Sequence, residues 1–267
     1  MRFIRENLFN TFILFTVFAT AVATIGFAPP AQASIELPLH MTKNDRIEAL
    51  QVIGFGTSSK ILSDPFPLGG YSGFEVGVSV ESLPTEDIGH LGYHLTSPQE
   101  NVEVPKLTIG KGFYNNIDLF ITFAPYDREN ELSQYGGVLR WGFYQATFLP
   151  LSASLLFHSN MTNVSNEMTT KSYGADLVGG INVDKVALFA GIGYLQATGS
   201  FIGGTAGTGP TDPTTTSFTD SGNIETEAVS TAHTLIGANI QVSNMFFTVQ
   251  LDRYTLSMFS GKLGVRF

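Results

Sequence analysis

Hydrophobic and polar residues alternate with a period of two over most of the chain from Tyr71 onward. In FEVGVSVE, residues 74–81, every second residue is apolar and the residues between them are Gly, Ser or Glu. Successive side chains of a strand point to opposite faces, so this pattern predicts strands with one apolar and one polar face. Ten strands are predicted, near 71–82, 104–114, 116–125, 135–148, 151–162, 171–183, 185–201, 225–242, 245–255 and 258–267.

The connections between these strands alternate in length. Tight turns are predicted at 115, 149, 184 and 243, and the Asn115-Asn116 pair suits a hairpin because Asn tolerates positive φ. Longer connections follow at 83–103, 126–134, 163–170 and 202–224, with a short one near 256. This predicts an all-β fold, an antiparallel transmembrane β-barrel of about ten strands, with eight or twelve as alternatives. The tight turns are expected to face the periplasm.

Aromatic residues cluster near the predicted strand ends, which suggests two belts at the membrane interfaces. The belt at the tight turns contains Phe113, Tyr114, Phe148, Phe246 and Phe267. The belt at the long loops contains Phe123, Tyr126, Tyr135, Phe157, Tyr173, Phe201, Tyr254 and Phe259.

The last stretch of the sequence, FSGKLGVRF, alternates apolar residues with Lys262, Gly264 and Arg266 and stops at Phe267. Such a strand resembles the closing strand of Gram-negative outer-membrane β-barrels, whose terminal aromatic residue is read by the assembly machinery. The resemblance covers residues 71–267. It implies an outer-membrane location, Phe267 as an assembly signal, and membrane lipid and the barrel-assembly machinery as partners.

The first residues have the features of an export signal. Arg2 and Arg5 precede an apolar run from about residue 8 to residue 28, and a small-residue pattern follows at 31–33. These features predict a signal peptide over residues 1–33, cleaved before Ser34. The alternative is an uncleaved anchor helix, because the apolar run is long enough for one.

Composition excludes several classes of function. Of 14 basic and 23 acidic residues, Arg2, Arg5 and Glu6 lie within the predicted signal, which leaves 12 and 22. An acidic chain without a basic cluster is a poor nucleic-acid binder, so we expect no nucleic-acid partner. The absence of cysteine excludes disulfides, thiol catalysis and Cys-ligated metals. We expect no cofactor.

Residues 34–70 lack the strand rhythm. Thr42 or Asn44 could cap a short helix through Leu50 and Ile53, which the glycines at 54 and 56 would end. The following stretch, rich in Pro and Gly, suits an irregular chain better than a strand. We predict a periplasmic lid or a plug inside the barrel; the alternative is an extra strand through residues 50–55. The Thr- and Gly-rich loop 202–224 is predicted to be mobile or to fold inward and narrow a pore.

The polar faces of the strands are the natural place for function, because charged side chains on the lipid face would be costly. The residues predicted to line the lumen are Glu75, Glu81, Asp118, Arg140, His158, Asp176, Asp252, Lys262 and Arg266. One interpretation is a buried network of ion pairs that fills a narrow barrel. The other is a water-filled conduit lined by the same groups.

Enzymatic and metal functions have weaker sequence support. Outer-membrane lipid hydrolases often carry H-x-S-N, whereas His158, Ser159 and Asn160 are consecutive here, so alternation separates the histidine from the serine. The paired acidic and histidine motifs of barrel proteases are absent. Asp87, His90 and His94 share one loop but have no fourth ligand nearby, so we predict solvated loop residues, no metal site and no catalytic residue.

Four functions remain in order of preference. The first is a passive pore for small solutes, with Glu75, Asp118, Arg140 and Asp176 giving a weak ionic preference. The second is a non-conducting structural or surface-interaction barrel closed by its charge network. Transport of apolar molecules with residues 35–70 as a hatch is third, and a lipid-modifying enzyme is fourth. The sequence leaves the oligomeric state open.

Overall fold

Ten antiparallel strands close into a barrel, as predicted. The structure is a computed structural model that describes residue 37 and residues 41–92, 101–127, 132–146, 148–165, 167–202 and 224–267. The predicted signal peptide and most of the predicted loop 202–224 lie outside the described residues. The strands are β1 (Phe74–Pro84), β2 (Asn101–Gly112), β3 (Ile117–Asp127), β4 (Leu132–Gln145), β5 (Leu151–Val164), β6 (Met168–Val183), β7 (Val186–Ile202), β8 (Ile224–Val242), β9 (Met245–Arg253) and β10 (Ser257–Arg266).

Each strand pairs with its neighbours in the sequence, and β10 returns to pair with β1. Two backbone hydrogen bonds extend this seam beyond the paired strands. The N–H of Phe74 donates to the carbonyl of Phe267 over 3.0 Å, and the N–H of Phe267 donates to the carbonyl of Phe74 over 2.8 Å. Closure satisfies the backbone of the first and last strands, which an open sheet in lipid could not do.

The tight turns contain the backbone conformations that their residue types predict. Asn115, Asn116, Asp184 and Ser243 all have positive φ, between 55° and 58°. Asn and Asp are the side chains that adopt this left-handed region most readily after glycine, and Ser243 adopts it within a two-residue turn. These turns, with the one near residue 149, define one end of the barrel, which we call the tight-turn end; the opposite end is the long-loop end.

The outer face of the barrel is apolar. Its aliphatic and aromatic side chains are between 39% and 62% exposed and include Leu107, Ile109, Leu119, Ile121, Leu139, Trp141, Leu177, Ile192, Ile236, Phe247 and Leu251. The buried side chains between them face inward, so the alternation in the sequence separates a lipid-compatible surface from the lumen.

Three residues assigned to the aromatic belts were placed on the wrong face. Phe201, Phe246 and Tyr254 are buried inside the barrel instead of exposed at its rim. The reason is the phase of the alternation. Ile202, next to Phe201, and Phe247, next to Phe246, occupy the outward positions of β7 and β9 and are about half exposed.

In the described part of the N-terminal segment, residues 43–50 form a helix, α1 (Lys43–Leu50), and residues 50–55 do not form an extra strand. The Thr42 hydroxyl accepts a hydrogen bond from the N–H of Asp45, and the Asp45 carboxylate accepts one from the N–H of Thr42, which completes a capping box. Gly54 does not end the helix, because the chain continues through a π-helical turn, Gln51–Phe55. None of the helices in the described ranges is long and apolar enough to cross a membrane.

From Gly56 the chain runs through the barrel from one end to the other. Helix α1 contacts β7 and β8 at the long-loop end, where Arg46 binds Glu227. At the other end, the N–H of Leu68 donates to the Asp118 carboxylate at the start of β3. The 12 residues between Thr57 and Leu68 can span up to about 40 Å when extended, enough to cross an apolar band of about 25 Å. We call residues 57–68 the plug segment.

Candidate functional site in the barrel lumen

The barrel wall binds both the main chain and the side chains of the plug segment. Four backbone carbonyls and one backbone N–H of the segment hydrogen-bond to side chains that project from five different places on the wall. The contacts are Gln134 Nε2 to the carbonyl of Thr57 (2.7 Å), Lys262 Nζ to that of Ile61 (3.0 Å), Arg140 Nη1 to that of Asp64 (2.6 Å), Ser154 Oγ to that of Pro65, and the N–H of Leu68 to Asp118 (3.2 Å).

Five charged residues surround the lower part of the plug segment, toward the tight-turn end. We call Glu75, Asp118, Arg140, Lys262 and Arg266 the lower charge group. Lys262 Nζ lies 2.6 Å from Glu75 Oε1, and Arg266 Nη2 lies 2.8 Å from Glu75 Oε2. Arg140 Nη2 lies 2.8 Å from Asp118 Oδ2, because β3 and β4 place these two residues opposite each other. Each of the three cations therefore has a carboxylate partner on the wall.

Aromatic rings and one plug carboxylate complete the surroundings of these cations. Arg140 lies 4.9 Å from the centre of the Phe120 ring, and Arg266 lies 5.2 Å from the centre of the Phe246 ring. These distances are in the range of cation–π attraction. Asp64 of the plug segment lies 3.1 Å from Arg266 Nη1. The inward positions of Phe120 and Phe246 thus help to stabilise buried positive charge.

A second set of charges lies higher in the lumen. Glu81, Lys106 and Asp252 of the wall form what we call the upper charge group. Lys60 of the plug segment lies 2.8 Å from Glu81 Oε2 and 4.0 Å from Asp252 Oδ2, and Lys106 lies 2.9 Å from the same oxygen of Glu81. Glu81 therefore binds one lysine from the wall and one from the plug segment.

The two charge groups complement the plug segment. In its ordinary ionised form the lower group has three cations and two carboxylates, whereas the upper group has two carboxylates and one cation. Asp64 lies beside the group with excess positive charge, and Lys60 lies beside the group with excess negative charge. Burial of charge is tolerated only when it is compensated, so this arrangement fixes the direction and register of the segment.

Glycines on the inner face of the wall make room for the plug segment. A Cβ built on Gly180 would lie 2.6 Å from the ring of Pro65, and one on Gly142 would lie 2.6 Å from the ring of Pro67. Such distances are too short for carbon atoms, and a proline ring cannot rotate away. The two prolines therefore fit against the wall only because these positions have no side chain.

Two histidines flank one carboxylate beside the plug segment. His158 Nε2 lies 3.4 Å from Asp176 Oδ2, and His233 Nε2 lies 3.2 Å from Asp176 Oδ1. Both Nδ1 atoms are buried and have no hydrogen-bond partner among the described residues. The cluster borders a cavity of about 30 Å³ that Lys60 also lines. A cavity of this size has room for water, which could satisfy the free ring nitrogens.

An apolar cap closes the long-loop end above the plug segment. Leu50, Ile53 and Phe55 are each at most 1% exposed. Ser58, just below this cap, shares a hydrogen bond of 3.0 Å with the hydroxyl of Tyr254. Burial, and then the nearby Asp252 carboxylate, raises the pKa of Tyr254 well above its ordinary value, so this hydroxyl stays protonated.

The nine residues predicted to line the lumen form three sets of contacts. The lower charge group contains five of them, the upper charge group contains Glu81 and Asp252, and the histidine cluster contains His158 and Asp176. Lys106 and His233 were missed, although each lies on the polar phase of its strand and alternation could have found it. Lys60 and Asp64 were also missed, and no periodic pattern marks them.

The structure does not bring together the residues that were considered for catalysis or metal binding. His158 is buried and faces the lumen, whereas Ser159 is exposed on the outer face, so the two cannot form a catalytic pair. Asp87 and His90 are exposed in a 3₁₀ turn, Glu86–His90, and His94 lies outside the described residues. No group of three possible ligands suited to a metal ion occurs in the part of the chain that the structure describes.

No protein-family model matches the sequence, and no curated protein sequence matches it. Solved structures with a similar chain path include Ail, the attachment invasion locus protein and an outer membrane protein of Yersinia pestis (16% identity, TM-score 0.29, 73% of this chain and 97% of that chain). Another is a loop-deletion mutant of OmpT, an outer membrane protein of Vibrio cholerae (12% identity, TM-score 0.32, 86% of this chain and 74% of that chain). A third is the N-terminal β-barrel domain of Pseudomonas aeruginosa OprF (11% identity, TM-score 0.30, 74% of this chain and 99% of that chain). Likeness at this level assigns no activity to this chain.

The class of protein follows from the described wall itself. A closed antiparallel sheet, an apolar outer face, a polar lumen and tight turns at one end are the defining features of outer-membrane β-barrels. The chain is a ten-stranded barrel of this class. The plug segment within its lumen is the feature on which a more specific function depends.

Proposed function

We propose that the protein is an outer-membrane conduit for small solutes that its own plug segment holds closed at rest. The observation that carries this proposal is the pairing of charge in the lumen. Every cation of the two charge groups has a carboxylate partner on the wall itself, at 2.6–2.9 Å. Withdrawal of the plug segment would therefore leave a wall whose cations remain paired and can be hydrated.

The contacts of the plug segment also suit a removable closure. The segment is held by hydrogen bonds and two ion-paired side chains, which water can replace when the segment leaves, and by Ile61 and Leu68, which pack in an apolar cluster with Phe120. A vestibule of about 300 Å³ already opens beside Asp64 at the tight-turn end and is lined by Asn182, Asn239 and Gln241. Solutes would pass along the side of the lumen that this vestibule begins.

A second candidate function is a permanently closed barrel that acts through its external surface. The apolar cap favours this alternative, because Leu50, Ile53 and Phe55 would be exposed to water if the segment withdrew as a whole. The two functions predict different behaviour when the covalent link between the plug segment and β1 is cut.

The test is electrical conductance in a planar bilayer. A protease site inserted between Gly69 and Gly70, both with positive φ beside the exposed residues that precede β1, allows the folded protein to be cut below the plug segment. We expect discrete conductance steps from the cut protein and few from the intact one. Cut protein that is silent, although its barrel is folded by heat-modifiable gel mobility, would establish the permanently closed barrel.

An engineered disulfide between the plug segment and the wall provides a reversible control for this test. The hydroxyls of Thr57 and Thr162 lie 2.8 Å apart, and the chain has no native cysteine, so Thr57→Cys with Thr162→Cys can form a unique bond between plug and wall. Oxidation should abolish the steps of the cut protein, and reduction should restore them. Asn163→Cys with Thr169→Cys joins two wall strands only, at opposed positions outside the vestibule lining, and should leave the steps unchanged.

A further inference from the structure

The lumen wall recognises groups that every polypeptide carries. Five hydrogen bonds join wall side chains to the main chain of the plug segment, four at backbone carbonyls and one at a backbone N–H. Others join the wall to plug side chains, including those of Ser59 and Lys60. The donors are long or hydroxyl side chains, Gln134, Lys262, Arg140 and Ser154, spread from the upper to the lower lumen. These five contacts require an extended main chain and do not depend on the identity of its side chains.

The cations that bind the main chain each have a carboxylate partner on the wall. Lys262 pairs with Glu75 and Arg140 pairs with Asp118, and each uses a remaining N–H to reach a carbonyl of the plug segment. The wall carboxylates hold these donors in place, so they do not need a charge on the bound chain. They form a preorganised set of hydrogen-bond donors.

The lumen wall also binds two opposite charges of the plug segment that lie at a fixed spacing. The cation of Lys60 lies in the upper charge group and the carboxylate of Asp64 lies in the lower one, four residues later. Gly180 and Gly142 then accept the rings of Pro65 and Pro67. A chain that enters in the opposite direction would place each charge beside the group of like sign.

We propose that the lumen is a binding site for an extended polypeptide segment, with the plug segment as its resident occupant. The preferred ligand has a cation followed four residues later by a carboxylate, with the cation toward the long-loop end. This inference rests on the proposed function only in requiring that the plug segment can leave the lumen. It adds the chemical class of ligand that the vacated lumen accepts.

The test is peptide exchange in the full-length protein cut between Gly69 and Gly70. A fluorescent peptide with the sequence of residues 56–69 is added in excess, and its bound fraction is followed by fluorescence anisotropy after the cut protein has been warmed. A second peptide has the substitutions Lys60→Glu and Asp64→Lys. This peptide keeps the length, the net charge and the prolines, and it reverses the two charges that the wall reads.

We expect the native peptide to bind at one equivalent and the charge-reversed peptide to bind at least about tenfold more weakly, since close like-charge contacts disfavour binding. Equal binding of the two peptides would overturn the charge-reading part of the proposal and with it the stated ligand. Failure of both peptides to enter the cut, folded barrel would overturn the binding site altogether.

Conductance measurements distinguish the polypeptide-binding site from the proposed conduit function. If the cut protein conducts but no peptide binds, the conduit stands and the polypeptide site is wrong. If the peptide binds and the protein is silent before and after exchange, the polypeptide site stands and the conduit is wrong. In the Thr57→Cys, Thr162→Cys protein, oxidation before cutting should prevent peptide binding, and reduction should allow it. This pair of results would show that the peptide binds in the place that the plug segment occupied.

Discussion

The two faces of the barrel wall are formed by the same strands but meet different neighbours. The outer face presents Leu177, Ile192 and Ile236 to lipid chains, which adapt to any apolar shape. The inner face meets one segment of fixed sequence, to which Arg140 and Lys262 donate hydrogen bonds at set positions. Polarity alone is sufficient for the outer face, whereas the inner face needs both charge and shape to match.

Adjacent glycines show this difference on a single strand. Gly180 faces inward, and a Cβ there would meet Pro65 at 2.6 Å. Gly179 faces outward, and the nearest atom to a Cβ there is a backbone oxygen at 3.8 Å. One glycine is required by a neighbour and the other is not, although the two are side by side in the sequence. The predictions below change matched positions on the two faces.

The largest effect is expected from Glu75→Ala, because it leaves Lys262 and Arg266 buried without their common carboxylate. Breaking a buried ion pair on one side costs about 3–5 kcal/mol of unfolding free energy. The outward neighbour on the same strand provides the control: Val76→Ala should cost less than about 1 kcal/mol. Denaturant unfolding in lipid vesicles measures both, and similar losses would show that the lower charge group contributes little to stability.

A smaller effect is expected from Gly180→Ala, which forces Pro65 away from the wall. Overpacking of this kind costs about 1–3 kcal/mol. Tryptic cleavage after Lys60 in the folded protein should become faster, since displacement of Pro65 loosens the plug segment. Gly179→Ala should leave both cleavage and stability close to those of the native protein. Equal cleavage of the two variants would contradict the tight fit of Pro65.

The wall could be predicted from the sequence because its pattern is local. A period of two decides which residues face inward, and turn residues such as Asn115 and Asp184 fix where strands reverse. Asp118 and Arg140 were both assigned to the lumen for this reason. Errors arose where a residue type overrode the phase of its strand, as for Phe246, which was assigned to a belt because it is aromatic.

The path of the plug segment could not be predicted in this way. Residues 57–68 have no periodic pattern, because each one meets a different part of the wall. Lys60 and Asp64 look like ordinary loop charges until the barrel surrounds them. Their partners Glu81 and Arg266 lie 21 and 202 residues away in the sequence. The sequence could suggest a plug from composition, but only the closed wall gives its direction and register.

An effect of similar size, on docking of the plug instead of unfolding of the barrel, is expected from Lys60→Met, which removes a charge from the plug and leaves Glu81 paired with Lys106. Loss of a hydrogen bond to a charged group should weaken docking of the plug by about 1.5–3 kcal/mol. Unfolding of the barrel should change less than in Glu75→Ala, because the wall keeps its own ion pair. Hydrogen exchange of the plug amides measures the docking. Lys43→Met, at an exposed position of α1, is the control and should not change exchange.

The smallest effect is expected from Tyr254→Phe, which removes only the hydroxyl that bonds Ser58 and keeps the ring that lies 6.0 Å from Phe55. Loss of this hydrogen bond should cost about 1 kcal/mol. Because the pKa of Tyr254 is raised in the fold, its contribution should be complete below the ordinary pKa of about 10 and decline above it. The Phe variant should lack this alkaline decline, and Tyr135→Phe on the exposed outer face should retain it. Unfolding free energies measured from pH 8 to pH 11 test this, and an equal decline in the native and Tyr254→Phe proteins would contradict it.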